Sequence, residues 1–251
     1  MTGVLLITGG ASGIGAETAR RAAKRGYKVA VNYRTRDAQA MGLAADIAAQ
    51  DGEAIALPGD MANEADIMRL FHETERAFGP ITHLVNSAGI GRPMRVDEYD
   101  SAKLTHLFNV NVIGLMLCCR EAAKRMSTRH GGKGGAIVNV SSMAATLGGR
   151  PGSSAYAATK GAVDSFTKAF AREVAAEGIR VNSIRPGMVL SEMTEKRLQD
   201  ETFRSRIEAS IPMHRVGQTH EIADAILWLL SNEAAFITGA MLDAAGGGYI
   251  L

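Results

Sequence analysis

Apolar and polar positions follow one another along this chain in a pattern that separates short strands from longer helices. Runs rich in apolar and β-branched residues occur at seven places, and helical periodicity fills the stretches between them. Two of the runs, Val4-Leu-Leu-Ile7 and Ala136-Ile-Val-Asn-Val140, are almost continuously apolar, as in central strands covered on both faces. The predicted strands are residues 4–7, 28–33, 53–57, 82–86, 135–140, 179–184 and 240–243.

The regular alternation of strands and helices predicts the fold class. Parallel strands joined by right-handed crossovers form an α/β fold, here a doubly wound (Rossmann) sheet of about seven parallel strands with helices on both faces. No stretch resembles a linker, so we expect a single domain over residues 1–251. Ligands of such sheets bind beyond the carboxyl ends of the strands. The polar and glycine residues that follow the strands are therefore the candidate site residues.

Composition and charge narrow the class of protein. The chain is 46% hydrophobic and 22% charged with a net charge of +2, which is typical of a soluble globular protein, and it has no basic run that favours nucleic acid. The first strand begins close to Met1 and the apolar runs are shorter than about 18 residues, so we expect no signal peptide, no membrane span and a cytoplasmic location. Cys118 and Cys119 are adjacent and are expected to be reduced. The six histidines are interpreted as surface or loop residues, and no ligand spacing predicts a metal site.

The glycine-rich stretch after the first strand is a candidate phosphate-binding turn. It fits the pattern T-G-x-x-x-G-x-G at Thr8, Gly9, Gly13 and Gly15. Small residues at these positions would let the backbone approach a pyrophosphate and present the N–H groups of a helix N-terminus to it. The alternative is an ordinary tight turn between a strand and a helix.

Four further motifs follow this turn in a fixed order: Asn86-Ser-Ala-Gly89, Ser141-Ser142, Tyr156-Ala-Ala-Thr-Lys160 and Arg185-Pro-Gly-Met-Val189. Together with the turn they resemble the short-chain dehydrogenase/reductase family, over residues 4–247. The resemblance implies an NAD(P)-dependent oxidoreductase that transfers hydride between C4 of a nicotinamide and a secondary alcohol or ketone. It also implies a general acid/base role for Tyr156, with Lys160 beside it holding the nicotinamide ribose.

The spacing of Tyr156 and Lys160 supports that role, because residues four apart lie on one face of a helix. A neighbouring ammonium, helped by the positive nicotinamide ring, favours the phenolate, so we expect the two charges to lower the phenol pKa from about 10. The resemblance implies that Ser142 stabilises charge on the substrate oxygen, with Ser141 as the alternative because the distance to the tyrosine differs by one residue from many relatives. It further implies that Asn111 holds a water that leads protons to the lysine, and Asn109 competes for this role.

The end of the second strand bears on the choice of cofactor. An acid there would bond the adenine ribose 2′-hydroxyl, but the strand ends in Asn32-Tyr-Arg34, and Arg34 could pair with a 2′-phosphate. Asp37 follows the strand and is interpreted as a helix N-cap. NADP(H) is therefore favoured, and NAD(H) stays possible. The cofactor contacts that the resemblance implies are Gly9, Ser12, Gly13, Ile14, Gly15, Arg34, Asp60, Met61, Asn86, Ala88, Gly89, Tyr156, Lys160, Pro186, Gly187, Val189 and Ser191.

Residues 188–215 form the expected substrate lid, and long helices over residues 101–128 and 154–177 resemble those that pack between subunits of family tetramers. We therefore expect a homotetramer, with a dimer as the alternative. Four methionines could line an apolar pocket or belong to the core, and three arginines point to an anionic or polyhydroxy substrate. The candidates are Met94, Met143, Met188 and Met193, with Arg92, Arg95 and Arg150.

The leading functional hypothesis is an NADP-dependent alcohol dehydrogenase or carbonyl reductase with a small-molecule substrate. A glucose-type sugar 1-dehydrogenase and a 3-oxoacyl thioester reductase are the alternatives within the enzyme class. A protein that senses NAD(P) without turnover is the alternative from another class. The presence of both Tyr156 and Lys160 favours an enzyme.

Overall fold

The computed structural model describes residues 3–91 and 93–248, and nine strands lie within them. Seven of these strands form one parallel sheet and confirm the seven predicted strands to within two residues at each end. The two short remaining strands pair with each other beside the lid. In chain order the strands are β1 Val4–Thr8, β2 Lys28–Tyr33, β3 Glu53–Pro58, β4 Ile81–Asn86, β5 Gly135–Val140, β6 Ile179–Pro186, β7 Val189–Leu190, β8 Gly217–Gln218 and β9 Met241–Ala244.

Helices join these strands as the alternating pattern predicts. Short 3₁₀ turns occur at Val96–Glu98, Thr128–His130, Ala175–Glu177 and Asn232–Ala234. The α-helices are α1 Gly13–Lys24, α2 Asp37–Ala48, α3 Glu64–Phe78, α4 Ser101–Phe108, α5 Gly114–Met126, α6 Ala144–Leu147, α7 Ser154–Val174, α8 Glu192–Leu198, α9 Glu201–Ser210 and α10 Thr219–Leu230.

The strand order of the large sheet is β3-β2-β1-β4-β5-β6-β9. The chain winds outward from β1 in one direction through β2 and β3, then returns to β4 and winds in the other direction. The reversal lies between β1 and β4, where Thr8 is in register with Asn86. A crevice beyond the carboxyl ends of these two strands is the expected ligand site of a doubly wound sheet.

Both faces of the sheet are buried, which explains the continuous apolar runs of its strands. Leu5 and Ile7 point into a core closed by α1, α2 and α10, whereas Leu6 points into a core closed by α3, α5 and α7. All three side chains are fully buried. Alternating residues of β1 thus anchor two layers of helices, and the sheet edge that carries the site is held rigidly between them.

The helix that spans residues 101–126 contains a π-helical segment at Asn109–Ile113, between α4 and α5. By length and composition this helix is apolar enough to cross a membrane, although polar residues interrupt its apolar runs well before 18 residues. The expectation of no membrane span stays a prediction. Its buried residues Leu115, Cys118 and Met126 pack in the core beside α3 and α7, and both cysteines are free. We interpret it as a core helix whose apolar face is covered by the sheet.

Two local expectations are corrected by the structure. Arg36 occupies the N-cap of α2 and Asp37 is the first helical residue, so Asp37 stabilises the helix N-terminus by its charge and not as the cap. His83 is not a surface residue, because it lies in β4 with its ring edge-on to Tyr27 at a centroid distance of 5.0 Å. Burial lowers the pKa of His83 to about 4.

Candidate active site

The glycine turn between β1 and α1 has the geometry of a phosphate cradle. Gly9 and Gly13 have φ angles of 63° and 54°, which few residues other than glycine adopt without strain. A Cβ atom at Gly9 would lie 2.7 Å from the Cα atom of Ala88, so only glycine fits there. Helix α1 begins at Gly13, and its N-cap Ser12 makes no side-chain capping bond and no acid occupies its first turn. Its N-terminal N–H groups therefore suit an anion.

Asn32 holds this turn against the rest of the sheet edge. Its side-chain oxygen accepts a hydrogen bond from the Gly9 N–H at 3.2 Å, and its Nδ2 donates to the Gly59 carbonyl at 3.0 Å. Its own carbonyl accepts from the Gly10 N–H at 2.9 Å. The sequence signal for this role was a polar residue inside an otherwise apolar strand, which sequence reasoning did not use.

A cleft of about 570 Å³ begins at the glycine turn and extends along the sheet edge. The residues that line it come from the first turn, the end of β2, the segment after β4, the end of β5, α7 and the start of the lid. A smaller pocket of about 170 Å³ adjoins it and is lined partly by Asp60 and Met61. Of the predicted cofactor contacts, the large cleft is lined by Gly9, Ser12, Gly13, Ile14, Arg34, Ala88, Gly89, Tyr156, Lys160, Pro186, Gly187, Val189 and Ser191.

Two predicted cofactor residues line neither the cleft nor the adjoining pocket. Gly15 is buried under the turn, where a Cβ atom would lie 2.4 Å from the Gly9 carbonyl oxygen, so its smallness closes the turn. The side chain of Asn86 points into the protein, and its Nδ2 donates to Asn139 Oδ1 at 2.9 Å. The residues after it, Ser87 to Gly89, form the wall in its place. Asn86 therefore supports the wall from behind.

The arginines at the end of β2 reach acids on two sides of the cleft. Arg34 lies 3.7 Å from Asp60 Oδ2, in a pair with exposed partners that contributes little to stability. Arg36, which sequence reasoning missed, contacts the carboxylate of Glu192 at the start of α8. Both arginines line the cleft, so the rim beyond β2 presents two guanidinium groups, each with an acid beside it. A second basic residue two positions after Arg34 was the available signal.

Ser142, Tyr156 and Lys160 converge at the opposite end of the cleft. Tyr156 and Lys160 lie one turn apart on α7, with Lys160 Nζ 5.7 Å from the centre of the tyrosine ring. Ser142 forms a hydrogen bond with the Tyr156 phenol. Ser141 is instead buried, and its hydroxyl donates to the Lys160 carbonyl at 3.2 Å. The geometry thus favours Ser142 over Ser141 as the residue that faces a substrate oxygen.

The electrostatics of this group differ from the expectation that Lys160 acidifies the phenol. Burial raises the pKa of Tyr156 above 10, and only the hydrogen bond with Ser142 acts in the other direction. Burial also lowers the pKa of Lys160 to about 8, against the charge of Asp164. The ammonium alone does not acidify the phenol, because it donates to the Val140 carbonyl at 2.7 Å and is itself desolvated. The chain's own groups therefore keep the phenol protonated. A lower phenol pKa beside a positive nicotinamide ring stays a prediction.

Asn111 lies in the π-helical segment and is buried. Its Oδ1 accepts from the Ile90 N–H at 2.8 Å, while its Nδ2 donates to the Ile90 carbonyl at 2.9 Å and to Thr159 Oγ1 at 3.2 Å. Across residues 3–91 and 93–248, no comparable side-chain bond is made by Asn109. Asn111 thus fixes the segment after β4 against α7, and its role in holding a water stays a prediction.

A buried ion pair that the sequence did not reveal lies behind the site. Arg185 Nε donates to Asp164 Oδ2 at 2.8 Å, and its Nη1 donates to Asp243 Oδ1 at 3.3 Å. Ser183 also donates to Asp164, at 3.2 Å. These bonds join α7, one turn beyond Lys160, to β6 and β9. They hold the backbone that leads into Pro186 and Gly187 at the cleft.

The remaining candidate pocket residues are dispersed. Met193 lines the cleft, whereas Met143 is buried and Met94 lines a separate depression beside Lys103. Met188 is half-buried next to Gly187. Among the arginines, Arg95 pairs with Asp97 at the surface, Arg150 packs on the ring of Phe203, and Arg92 lies outside the described residues.

These observations define a dinucleotide cleft that ends in a serine, tyrosine and lysine group, and comparisons with known proteins assign the family. The chain belongs to the short-chain dehydrogenase/reductase family of oxidoreductases. A family model described as enoyl-(acyl carrier protein) reductase matches residues 9–249.

Individual relatives agree with this family. The chain is 42% identical to an uncharacterized oxidoreductase of Escherichia coli, YgfF, over 97% of this chain and 99% of that one. It is 34% identical to the 3-oxoacyl-[acyl-carrier-protein] reductase FabG of Staphylococcus aureus, over 100% and 99% of the two chains. Among solved structures, a short-chain dehydrogenase/reductase from Serratia marcescens has a TM-score of 0.91 at 30% identity and covers 98% and 97%.

The residues present fit the nicotinamide dinucleotide that this family uses. The glycine cradle, which a Cβ atom at Gly9 would fill, and the free N-terminus of α1 suit its pyrophosphate. Lys160 and Tyr156 stand where a nicotinamide ribose would be held. The bound dinucleotide supplies or accepts a hydride, and the chain's own part is to orient the reactants and move a proton.

Proposed function

We propose that this oxidoreductase is an NADP(H)-dependent carbonyl reductase or alcohol dehydrogenase that acts on a small ketone or secondary alcohol. The observation that carries the proposal is the single cleft that joins the Ser142, Tyr156 and Lys160 group to a rim bearing Arg34 and Arg36. Strand β2 ends without an acid that would repel a 2′-phosphate. Two guanidinium groups at that rim favour a phosphate by charge and by paired hydrogen bonds.

The proton chemistry follows from the positions of the side chains. Because burial keeps the Tyr156 phenol protonated, its hydroxyl is set to donate a proton to a substrate oxygen, and in the reverse direction to take one back. The Ser142 hydroxyl has a single proton, which can turn from the phenol oxygen to the substrate oxygen and stabilise the charge that develops there. Lys160 carries the positive charge nearest to the phenol, and Val140 fixes its position.

A second candidate function is the reduction of a 3-oxoacyl thioester. The observation in its favour is that relatives at 34% and 37% identity, from Staphylococcus aureus and mouse, are named 3-oxoacyl-[acyl-carrier-protein] reductases. The same tyrosine chemistry would serve such a substrate. A sensor without turnover would have no need for the Tyr156, Ser142 and Lys160 group.

The test is a panel of ketones, sugars and acyl thioesters, with oxidation of NADPH and of NADH as the readout. Tyr156→Phe should lower kcat about 10²–10⁴-fold, since it removes the group that transfers the proton. Tyr99→Phe is the matched control, because the Tyr99 hydroxyl bonds only to Ser154 Oγ at 2.7 Å among the described residues, on an exposed side chain. Wild-type turnover by Tyr156→Phe would contradict the proposal.

The cofactor preference has a separate test by fluorescence titration. We expect NADPH to bind more tightly than NADH, and Arg34→Gln to weaken NADPH binding about tenfold while NADH binding changes little. Arg25→Gln is the control, since Arg25 is equally exposed and pairs with Asp224 on the far side of α1. Tighter binding of NADH to the wild-type chain would reverse the preference.

We also propose a cytoplasmic homotetramer. Among the exposed large apolar side chains, Phe108 and Ile113 lie on the long core helix, Trp228 lies near the end of α10, and Phe236 follows that helix. Apolar exposure of this kind is typical of protein interfaces. Multi-angle light scattering should give four times the 26.5 kDa chain mass, and the mass of a single chain would refute the proposal.

A further inference from the structure

Two arginines from different elements pack on one aromatic ring at the lid, and a third lies near them. The guanidinium carbon of Arg150, in the loop between α6 and α7, lies 4.6 Å from the centre of the Phe203 ring. The guanidinium carbon of Arg197, on α8, lies 5.5 Å from the same ring. Arg206 follows Phe203 by one turn of α9 and adds its charge to the group. We call these four residues the arginine cluster.

The charges of the arginine cluster are uncompensated in the part of the chain that the structure describes. The Nη1 atom of Arg150 is buried and has no hydrogen-bond partner there. Neither Arg197 nor Arg206 pairs with a carboxylate there, whereas Arg204 on the same helix pairs with Glu208 at 3.0 Å. The neighbouring cations and burial together lower the pKa of Arg150. A buried donor without a partner, among like charges, is a cost that a bound anion would remove.

The cluster lies close to the reacting groups. The Ser153 N–H donates to the Arg150 carbonyl at 2.8 Å, which closes a turn and brings the two Cα atoms within about 7 Å. Tyr156 follows Ser153 by one helical turn, a rise of about 5 Å. The backbone of Arg150 is thus within roughly 12 Å of that of Tyr156 by these lengths. The loop that carries Arg150 therefore leads directly into the helix that carries Tyr156.

We propose that the arginine cluster is a subsite for an anionic group, a carboxylate or a phosphate, carried by a small carbonyl or hydroxy substrate. This inference rests on the proposed function and adds the substrate class to it. Arg150 belongs to the loop that joins Ser142 to Tyr156, whereas Arg197 and Arg206 belong to the lid. An anion held between them would therefore draw α8 and α9 toward the catalytic loop and fix the substrate carbonyl beside the phenol.

The test compares matched pairs of ketones that differ in charge alone at one group: acetoacetate against its methyl ester, and dihydroxyacetone phosphate against dihydroxyacetone. We expect a lower KM for at least one anionic member, and which pair shows the difference distinguishes carboxylate from phosphate. Arg150→Gln and Arg197→Gln should raise that KM about ten- to a hundredfold, with the neutral partner unaffected. Arg204→Gln, which removes a paired arginine from α9, should leave both KM values unchanged.

Equal KM values for the charged and neutral members, or equal effects of the variants on both, would overturn the subsite while the proposed function stands. If NADPH binds but no carbonyl is reduced, the proposed function fails. The subsite is then judged by calorimetric titration with acetoacetate and with inorganic phosphate. Binding that Arg150→Gln abolishes would uphold the subsite, and no binding of either probe would overturn it. Thermal unfolding of each variant confirms that it folds, and the exposed Arg206→Gln provides an independent variant.

Discussion

Lys160 offers a direct measurement of the electrostatic cost of the site. Its amine is buried, and a pKa that falls from 10.5 to about 8 corresponds to roughly 3 kcal/mol of unfavourable free energy for the charged form. In the unfolded chain the amine keeps its proton up to about pH 10.5. Between pH 8 and 10.5 the unfolded state therefore binds more protons than the folded state, and the free energy of unfolding rises with pH.

Lys160→Met isolates this contribution because methionine has similar length and no titrating group. The unfolding free energy of the wild-type chain, minus that of the variant, should be constant near pH 7 and increase by about 3 kcal/mol by pH 10.5. Below pH 8 the amine is protonated in both states, so the hydrogen bond to Val140 contributes a constant amount to this difference there. Urea unfolding at intervals from pH 7 to pH 10.5 measures it.

Lys168→Met is the matched control, since Lys168 lies on the exposed side of the same helix and its loss removes a charge that is not buried. A difference between wild type and Lys160→Met that stays flat, or that decreases with pH, would show that the Lys160 ammonium is not desolvated. The account of the site given above would then be wrong in its electrostatics, even if the positions of the side chains were right.

Three further predictions concern the elements around the site. Gly114→Ala should lower the free energy of unfolding by about 1–3 kcal/mol, because its Cβ atom would lie 2.0 Å from a backbone carbonyl oxygen. Gly42→Ala is the control, since its Cβ atom meets no atom within 4 Å and alanine should stabilise the helix. Urea unfolding that ranks the two variants the other way would refute this. Relative to His83→Phe, the wild-type chain should lose about 3 kcal/mol of stability as the pH falls from 6.5 to 4, because the unfolded state binds a proton there that the folded state does not. If the difference in unfolding free energy between the two chains stayed constant over this range, His83 would be accessible to solvent. Asn111→Ala should remove the hydrogen bonds to the N–H and the carbonyl of Ile90, at a cost of about 2–4 kcal/mol in the free energy of unfolding. Hydrogen exchange of the Ile90 amide should become faster, and an unaltered exchange rate would contradict this.

The strands could be predicted from the sequence because a sheet covered on both faces needs continuous apolar runs, and few other elements produce them. Strands β2 and β5 begin and end at the predicted residues. The glycine turn was equally readable, since its positive φ angles leave little choice of residue at Gly9. Such local requirements depend on residues that are neighbours in the chain, so the sequence alone is enough to predict them.

Side-chain directions and pKa values depended on elements that are distant in sequence. The motif that contains Asn86 is visible in the sequence, but the direction of its amide is set by Asn139 on the next strand. The spacing of Tyr156 and Lys160 indicates a shared helix face, yet the pKa values follow from burial and from the Val140 carbonyl. The partners of such groups become known only when the sheet is assembled, which explains why the direction of the Asn86 amide and these pKa values could not be predicted from the sequence.

The hydrogen bonds of Asn32 have a consequence for how this enzyme could change over evolution. Its amide is engaged with the backbone of the glycine turn and of the segment after β3, whereas Arg34 and Arg36 reach Asp60 and Glu192. The diphosphate cradle and the arginine rim are therefore held by different side chains. Substitutions at residues 34–36 could change the preference for NADP or NAD while the fold stays intact. Closely related chains could therefore differ in cofactor preference.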